Sequence, residues 1–189
     1  MGIANSLVRP RAPLRLGLAI ALCQAVAGCG KKDTVVGPPA TPTYPALTSP
    51  ERVLEALKIA YTRKDSTEYK LLFDQSYLGT SVDLLRGAPT DTFMFADEVQ
   101  HIAALARSTT AVVELQMKPA TIRSADSGDP PGWALIQNPI QSLGIYDGSN
   151  SFVVAPTQET IEFRFIPTPD STSPTDTTWK IIRWLEVAH

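Results

Sequence analysis

The chain has 189 residues, of which 43% are hydrophobic and 19% are charged, with 17 basic and 19 acidic side chains. This length is enough for one domain with one core. The net charge of −2 becomes −5 for residues 29–189, because residues 1–28 hold three arginines and no acidic side chain. An acidic balance argues against nucleic-acid binding and against a polybasic attachment to anionic lipid.

A basic and then apolar segment opens the chain. Arg9, Arg11 and Arg15 precede the run Leu16–Ala27, in which Gln24 is the one polar side chain. This order is typical of a secretory signal peptide. The run is shorter than the roughly 20 apolar residues of a transmembrane helix. A buried N-terminal helix is the alternative, and the arginines and the flanking prolines and glycines disfavour it.

The apolar run ends in Val26-Ala27-Gly28-Cys29. This motif resembles the lipobox of bacterial lipoproteins, in which the cysteine thiol receives a diacylglyceryl group and a peptidase cuts just before it. The resemblance implies that residues 1–28 are a lipoprotein signal peptide and that Cys29 carries acyl chains such as palmitate. Two or three acyl chains anchor a protein stably, whereas one holds marginally. The implied location is the bacterial cell envelope, outside the cytoplasm, on the periplasmic side or the outer membrane.

The chain has two cysteines, Cys23 and Cys29. The first would leave with the signal peptide and the second would carry lipid, so no thiol would remain for a disulfide, a metal site or a nucleophile. A disulfide between the two is the competing interpretation, but it would join a leader to a linker.

A proline-rich tether is predicted to follow, over residues 29–48. Its prolines and threonines cannot bury enough apolar surface to offset the entropy of ordering, so we expect a disordered, semi-extended segment that holds the domain off the membrane. Tyr44 and Leu47 are its two candidates for docking on the domain.

Residues 49–189 are predicted to form one domain that begins with three helices. Ser49 and Pro50 are typical of the start of the first helix, Asp65 caps the second, and the third runs from about Phe95 to Arg107. Apolar residues at helical spacing give the predicted buried faces. They are Val53, Leu54, Leu57, Ala60 and Tyr61 in the first helix, Tyr69, Leu72 and Phe73 in the second, and Val99, Ile102, Ala103 and Ala106 in the third.

After Ser108 the hydrophobic period changes to two, which predicts strands. Strands are predicted over residues 111–118, 160–165 and 179–187. A further strand begins at residue 133, and two more flank a hairpin turn at 147–150. In the last strand, Trp179, Ile181, Arg183, Leu185 and Val187 are predicted to share one face, and Lys180, Ile182, Trp184 and Glu186 the other. Helices followed by strands predict an α+β domain whose helices cover a curved antiparallel sheet.

Two segments carry a second resemblance. Residues 49–65, followed by Leu71-Leu72-Phe73, are similar to the opening of NTF2-like (SnoaL-like) domains, and Trp179-Lys180-Ile181-Ile182-Arg183-Trp184 is similar to their closing strand. The resemblance implies a cone whose sheet wraps the helices around a pocket. Many members of the family bind ligands or are structural, and some are isomerases, dehydratases or cyclases.

The candidate chemistry lies in that pocket. Asp97 and His101 are four residues apart on the third helix, the spacing of a carboxylate–imidazole general base. The helical angles nevertheless place both on the side away from Ile102, which favours a solvated polar stripe. Large aromatic side chains are candidates to line the pocket, although ordinary core packing is the favoured explanation, because a domain of this size needs such residues. These candidates are Tyr61, Tyr77, Phe95, Trp133 and Trp184.

Several common chemistries lack their motifs in this sequence. There is no metal-ligand spacing, no glycine-rich phosphate loop and no nucleophile elbow, so no metal or cofactor is expected. Two functions are left. One is a non-catalytic envelope lipoprotein whose NTF2-like domain binds a small apolar ligand or a protein partner. The other is an isomerase or lyase with an acid/base residue in the cone. A homodimer through the sheet face, at Ile182 and Trp184, is compatible with both.

Replacing Cys29 by serine is expected to abolish membrane association, because the thiol is the sole predicted attachment point of the acyl chains. Detergent-phase partitioning measures this directly. Unchanged partitioning of the Cys29→Ser chain would contradict the lipoprotein interpretation.

Overall fold

The computed structural model describes residues 42–84, 90–119, 121–124, 126–154, 157–169 and 176–189. The predicted signal peptide, the predicted lipidation site Cys29 and the tether up to residue 41 lie outside the described residues. None of the helices in the described part of the chain has the length and hydropathy that a membrane crossing requires.

Two helices open the described domain, and polar side chains cap both of them. α1 (Pro50–Thr62) follows Ser49, whose hydroxyl accepts the Arg52 amide at 3.4 Å. α2 (Ser66–Leu71) follows Asp65, whose carboxylate accepts the backbone amides of two residues in the first turn of the helix at 3.1 Å each. These bonds satisfy amides that a helix start leaves without partners.

The third helix, α3 (Phe95–Arg107), begins differently. The Asp97 carboxylate reaches back to accept the Met94 amide at 2.8 Å, as the third residue of a capping box does. Among the described residues, Ile102 is the one fully buried side chain of this helix.

Nine strands form two sheets in the described part of the chain. The six-stranded sheet has the order β2-β1-β9-β8-β5-β4, and the three-stranded sheet has the order β3-β6-β7. The strands are β1 (Phe73–Asp83), β2 (Asp91–Met94), β3 (Val112–Met117), β4 (Ile122–Ser124), β5 (Ala134–Gln137), β6 (Ile140–Asp147), β7 (Asn150–Val154), β8 (Glu159–Pro169) and β9 (Thr177–Ala188).

The fold class α+β is confirmed, but the prediction of a purely antiparallel sheet is wrong. β1 pairs with β9 in parallel, so the larger sheet is mixed. The hairpin of β1 and β2 also lies between α2 and α3, where the sequence suggested helix continuing through Phe73. The cause is local. Tyr69, Leu72 and Phe73 are all buried, as a helical face requires, but α2 ends at Leu71, Leu72 is its C-cap residue and Phe73 already begins β1.

The face assignment in the last strand is also wrong. The pairing of β8 with β9 shifts between Arg164 and Phe165, which breaks the alternation of β9. As a result Ile181 and Ile182 are both buried, the latter with 3% of its surface exposed, and Trp184 packs on Phe163 with ring centroids 4.5 Å apart. Ile182 and Trp184 therefore do not form an exposed face.

The core lies between the helices and the sheets. Val113 and Leu115 of β3 are buried and the residues between them are exposed, which confirms the alternation predicted for that strand. In β8 the predicted alternation of Ile161, Phe163 and Phe165 is confirmed as well. The buried face of α1 packs against β3 and β9.

Residues 42–48, which the sequence assigned to the tether, lie along this core. The Tyr44 hydroxyl donates to Asp65 Oδ2 at 2.9 Å, and the Trp179 amide donates to the Leu47 carbonyl at 2.8 Å. Both side chains, Tyr44 and Leu47, pack against the core. Burial, together with the neighbouring Asp65, raises the pKa of Tyr44 to about 12.

A chain beginning at Thr48 is expected to be folded and soluble but less stable than one beginning at Pro42. It loses the Tyr44 and Leu47 hydrogen bonds, each contributing about 1 kcal/mol, together with the apolar contacts of both side chains. Urea unfolding followed by circular dichroism measures the difference. As a control, Tyr44→Phe in the longer chain removes one of the hydrogen bonds and should give an intermediate midpoint. Equal midpoints for the two chain lengths would show that this segment adds no stability.

Candidate functional site

A group of polar side chains lies where α3 meets α1, α2 and the sheet. We call it the tyrosine–glutamate cluster, and it comprises Tyr61, Tyr69, Tyr77, Glu98, His101 and Glu186. Glu98 and His101 are three residues apart and therefore share a face of α3 with Ile102, which is buried in the core. The helix thus carries two ionisable groups to the edge of the core.

Glu98 is held by two tyrosines. The Tyr69 hydroxyl donates to Glu98 Oε2 at 3.0 Å, and the Tyr77 hydroxyl donates to Glu98 Oε1 at 3.1 Å. Burial raises the pKa of Glu98, and the two hydrogen bonds oppose this rise because they stabilise the ionised carboxylate. Both tyrosine side chains are buried, and burial together with the adjacent carboxyl raises the pKa of each above its usual value.

His101 is bound to the third tyrosine. A hydrogen bond joins its Nε2 to the Tyr61 hydroxyl oxygen at 2.7 Å, while the rest of the residue is exposed at the surface. Burial of the bonded side lowers the pKa of His101, which favours the neutral imidazole. Burial also raises the pKa of Tyr61, which remains a phenol. The pair is therefore uncharged at neutral pH.

Glu186 reaches the cluster from the sheet. It lies on β9, beside Ser81 of β1 and Ile161 of β8. Burial raises its pKa to about 7, and the negative charges of Glu159 and Glu98 add to the effect. The indole N–H of Trp184 opposes the rise, although its nitrogen is buried and makes no hydrogen bond with the described residues.

Aromatic rings form the floor of the cluster. Tyr61 and Tyr69 have ring centroids 5.4 Å apart, Tyr69 and Phe73 4.9 Å apart, and Phe73 and Tyr77 4.9 Å apart. These separations are typical of favourable aromatic pairs. The cluster therefore combines an aromatic floor with the partly exposed side chains of Glu98, His101 and Glu186 at its rim.

Gly79 gives Tyr77 its place. A Cβ atom at Gly79 would lie 2.5 Å from the Tyr77 hydroxyl oxygen and 3.2 Å from the adjacent ring carbon. The ring thus passes directly over the glycine, and the position next to it in β9 is Trp184. A side chain at this position would push Tyr77 away from Glu98.

The predicted site residues fall in different places. Tyr61 and Tyr77 belong to the cluster, and Trp184 lies beside Glu186. Phe95 is half-buried against the core at the start of α3. Trp133 lies under the Arg183 guanidinium, whose carbon is 5.5 Å from the ring centroid.

The predicted pairing of Asp97 with His101 is replaced by two separate contacts. Asp97 caps α3, and His101 bonds to Tyr61. His101 therefore turns toward the core on one side rather than lying wholly in a solvated stripe. Glu98 and Glu186 were missed as candidates, although the spacing of Glu98 from Ile102 was a visible signal. Nothing local in the sequence marked Glu186.

The rest of the described residues offer no competing ligand or metal site. The described residues contain no group of three or more His, Cys, Asp or Glu side chains placed to hold a metal ion. Two shallow cavities, of about 280 and 420 Å³, lie along α1 on the surface, one beside Pro42 and Arg63 and the other beside Met117. Neither includes a residue of the tyrosine–glutamate cluster.

Comparison with known proteins gives structural neighbours only. No protein-family model matches the chain, and no curated protein sequence matches it. Similar solved structures are NTF2-like proteins. An NTF2-like protein of unknown function from Pseudomonas putida has a TM-score of 0.46 and 10% identity, over 74% of this chain and 83% of that chain.

Two further structures are similar to the same extent. An NTF2-like protein of unknown function in nutrient uptake from Rhodospirillum rubrum has a TM-score of 0.46 and 14% identity, over 72% of this chain and 95% of that chain. A ketosteroid isomerase-like protein from Erwinia carotovora atroseptica has a TM-score of 0.40 and 13% identity, over 75% and 95%. Similarity this distant carries no argument about activity.

Gly79→Ala is expected to destabilise the domain by about 1–3 kcal/mol, because overpacking displaces a buried ring and breaks its bond to Glu98. Gly128→Ala is the matched control, since a Cβ there meets no atom within 4 Å. Chemical denaturation gives both free energies of unfolding. Equal values for the two variants would contradict the close approach of Tyr77 to Gly79.

Proposed function

We propose that the chain is a lipid-anchored protein of the bacterial envelope whose NTF2-like domain binds a small ligand at the tyrosine–glutamate cluster. The lipobox-like motif ending in Cys29 supports the anchor. The sequence resemblances at both ends of residues 49–189, and the order of helices and strands between them, support the NTF2-like fold. The cluster supports the binding site.

The observation that carries the proposal is the Glu98 carboxylate held by Tyr69 and Tyr77. Apolar residues of similar volume usually stabilise a core as well as or better than a buried charged group does. Polar groups that cost stability are therefore concentrated at sites that bind or react. Here three tyrosines, two glutamates and a histidine from different elements converge on one place.

The arrangement favours a small, mostly apolar ligand with one hydrogen-bonding group. Aromatic faces provide the apolar contact. At the rim, Glu186 has a pKa of about 7 and is therefore present in both protonation states near neutral pH, so that it can donate or accept a hydrogen bond. Both carboxylate oxygens of Glu98 accept hydrogen bonds from Tyr69 and Tyr77, so Glu98 serves to position these two tyrosines.

A second function is favoured by the same carboxyl. A general acid or base works best when its pKa is close to the ambient pH, and Glu186 meets that condition beside a surface of aromatic rings. In an isomerase or lyase, Glu186 would take the proton from carbon or return it, and the Tyr61–His101 pair would supply hydrogen bonds. This candidate replaces Asp97 and His101 as the predicted base.

A thermal-shift screen of small apolar molecules, each carrying one hydroxyl, carbonyl or amine group, tests the binding proposal. Compounds that stabilise the domain should lose that effect in Glu98→Gln and Glu186→Gln and keep it in Glu114→Gln, an exposed glutamate of β3. Hits that respond equally to all three substitutions would place the ligand elsewhere. Turnover of a hit by the unmodified chain, lost in Glu186→Gln, would select the enzymatic function.

Glu186 is also expected to make stability depend on pH. Its folded-state pKa of about 7 lies above the usual glutamate pKa of 4.5, so the folded protein binds this proton more tightly than the unfolded chain does. Protonated Glu186 therefore adds at most about 3 kcal/mol to the free energy of unfolding. This contribution is fully present below about pH 4.5 and is lost as the pH rises to about 7.

The difference between the unmodified chain and Glu186→Gln isolates this effect from other titrating groups. Denaturation at pH 4.5, 6 and 8 should show the glutamine variant gaining relative stability as pH rises. A difference that does not change with pH would show that Glu186 titrates normally.

A further inference from the structure

The three-stranded sheet ends at β7, and this edge is exposed. In the order β3-β6-β7, β7 has a described neighbour on one side only. Phe152 and Val153 leave 56% and 59% of their surfaces exposed, and Asn150 and Ser151 are exposed as well. The strand therefore offers apolar side chains and, on the side away from β6, backbone groups that no described strand pairs with.

The hairpin with β6 determines which backbone groups point outward. Asp147 and Asn150 close a two-residue turn whose first residue, Gly148, has φ +62°, as a type II′ turn requires. In an antiparallel ladder, successive residues alternate between bonding to the neighbour and pointing away. Asn150, Phe152 and Val154 thus bond to β6, while the N–H and C=O groups of Ser151 and Val153 face away from it.

The edge lacks the usual protection against pairing. Natural edge strands are blunted by charged side chains, proline or a bulge. β7 has the sequence Asn-Ser-Phe-Val-Val, with no charge and no proline, and its pairing with β6 shows no register shift. The other described edge strands each carry a charged side chain, namely Asp91 in β2, Glu114 in β3 and Arg123 in β4.

We infer that β7 pairs antiparallel with β7 of a second copy of this chain. A two-fold axis at Phe152 places Ser151 of each copy opposite Val153 of the other, so that the four outward-facing groups per edge exchange hydrogen bonds. The two Phe152 side chains then meet at a non-hydrogen-bonded pair, where opposite side chains approach most closely. The result is one continuous six-stranded sheet across two domains.

Charge selects a second copy as the occupant. A patch that pairs with itself across a two-fold axis must avoid setting like charges opposite each other, and an uncharged strand meets this condition. A charged peptide would find no counter-charge on β7. This dimer uses a sheet edge rather than the sheet face, where Ile182 is buried and Trp184 packs on Phe163, and it does not depend on the ligand site proposed above.

Disulfide trapping tests the register. In the full chain carrying Cys23→Ser and Cys29→Ser, the substitution Phe152→Cys introduces the single thiol, and two-fold pairing places it against its own copy within the reach of a disulfide. Mild oxidation should give a covalent dimer on non-reducing gels. Two control variants should remain monomeric on the gel. Val153→Cys lies one residue away and does not face its own copy across the two-fold axis, and Val112→Cys lies on the opposite edge, where Val112 is 53% exposed.

Light scattering on the same thiol-free chain tests the association itself. A dimer mass is expected, and Val153→Pro should raise the dimer dissociation constant about tenfold or more, because proline removes one outward N–H per copy and leaves the β6 ladder intact. Circular dichroism checks that the variant is folded. The control is Val112→Lys, on the opposite edge of the sheet. A monomer mass at all concentrations, or equal trapping at all three cysteine positions, would overturn the inference.

Discussion

The Glu98 carboxylate, bonded by the hydroxyls of Tyr69 and Tyr77, is the interaction on which the helical side of the domain depends. It connects three elements, since Tyr69 belongs to α2, Tyr77 to β1 and Glu98 to α3. A partly buried carboxylate loses part of its hydration, and two hydroxyl donors offset that loss. Tyr77 can reach this position because Gly79 leaves space beneath its ring. Together with Ile102 in the core, this contact connects α3 to α2 and β1.

A second carboxyl gives the same region its chemistry. Glu186 comes from the last strand, about ninety residues after Glu98, and the negative charges of Glu159 and Glu98 both raise its pKa. Burial and this repulsion hold the pKa of Glu186 about where a proton is easily gained or lost at neutral pH. The tyrosines around it remain neutral because burial raises their pKa values. Among the described residues, no lysine or arginine charge lowers the pKa of Glu186.

The strands differ in how well the sequence pattern predicted their buried faces. In β3 and β8 the inner face is continuous and apolar, so alternation predicted the buried residues correctly. β1 and β9 are irregular, and their irregularities move side chains from one face to the other. Phe73 continued the helical spacing of Tyr69 and Leu72 although it begins β1, and Ile181 with Ile182 interrupted the period of β9. The error in each strand arose where the pairing register shifts, because a shift of one residue exchanges the two faces.

The sequence by itself determined the local features of this protein: the capping of α1 and α2, the bounds of α3, the alternation of β3 and β8, and the α+β class. Each depends on residues within a few positions of one another. It also supports the prediction of a lipid anchor at Cys29, which lies outside the described residues. Only the tertiary structure decided that β1 runs parallel to β9, that Trp184 packs inward, and that Glu98 and Glu186 share one site with three tyrosines. These contacts join residues that are distant in the chain, and their energies depend on burial and register, which no local pattern contains.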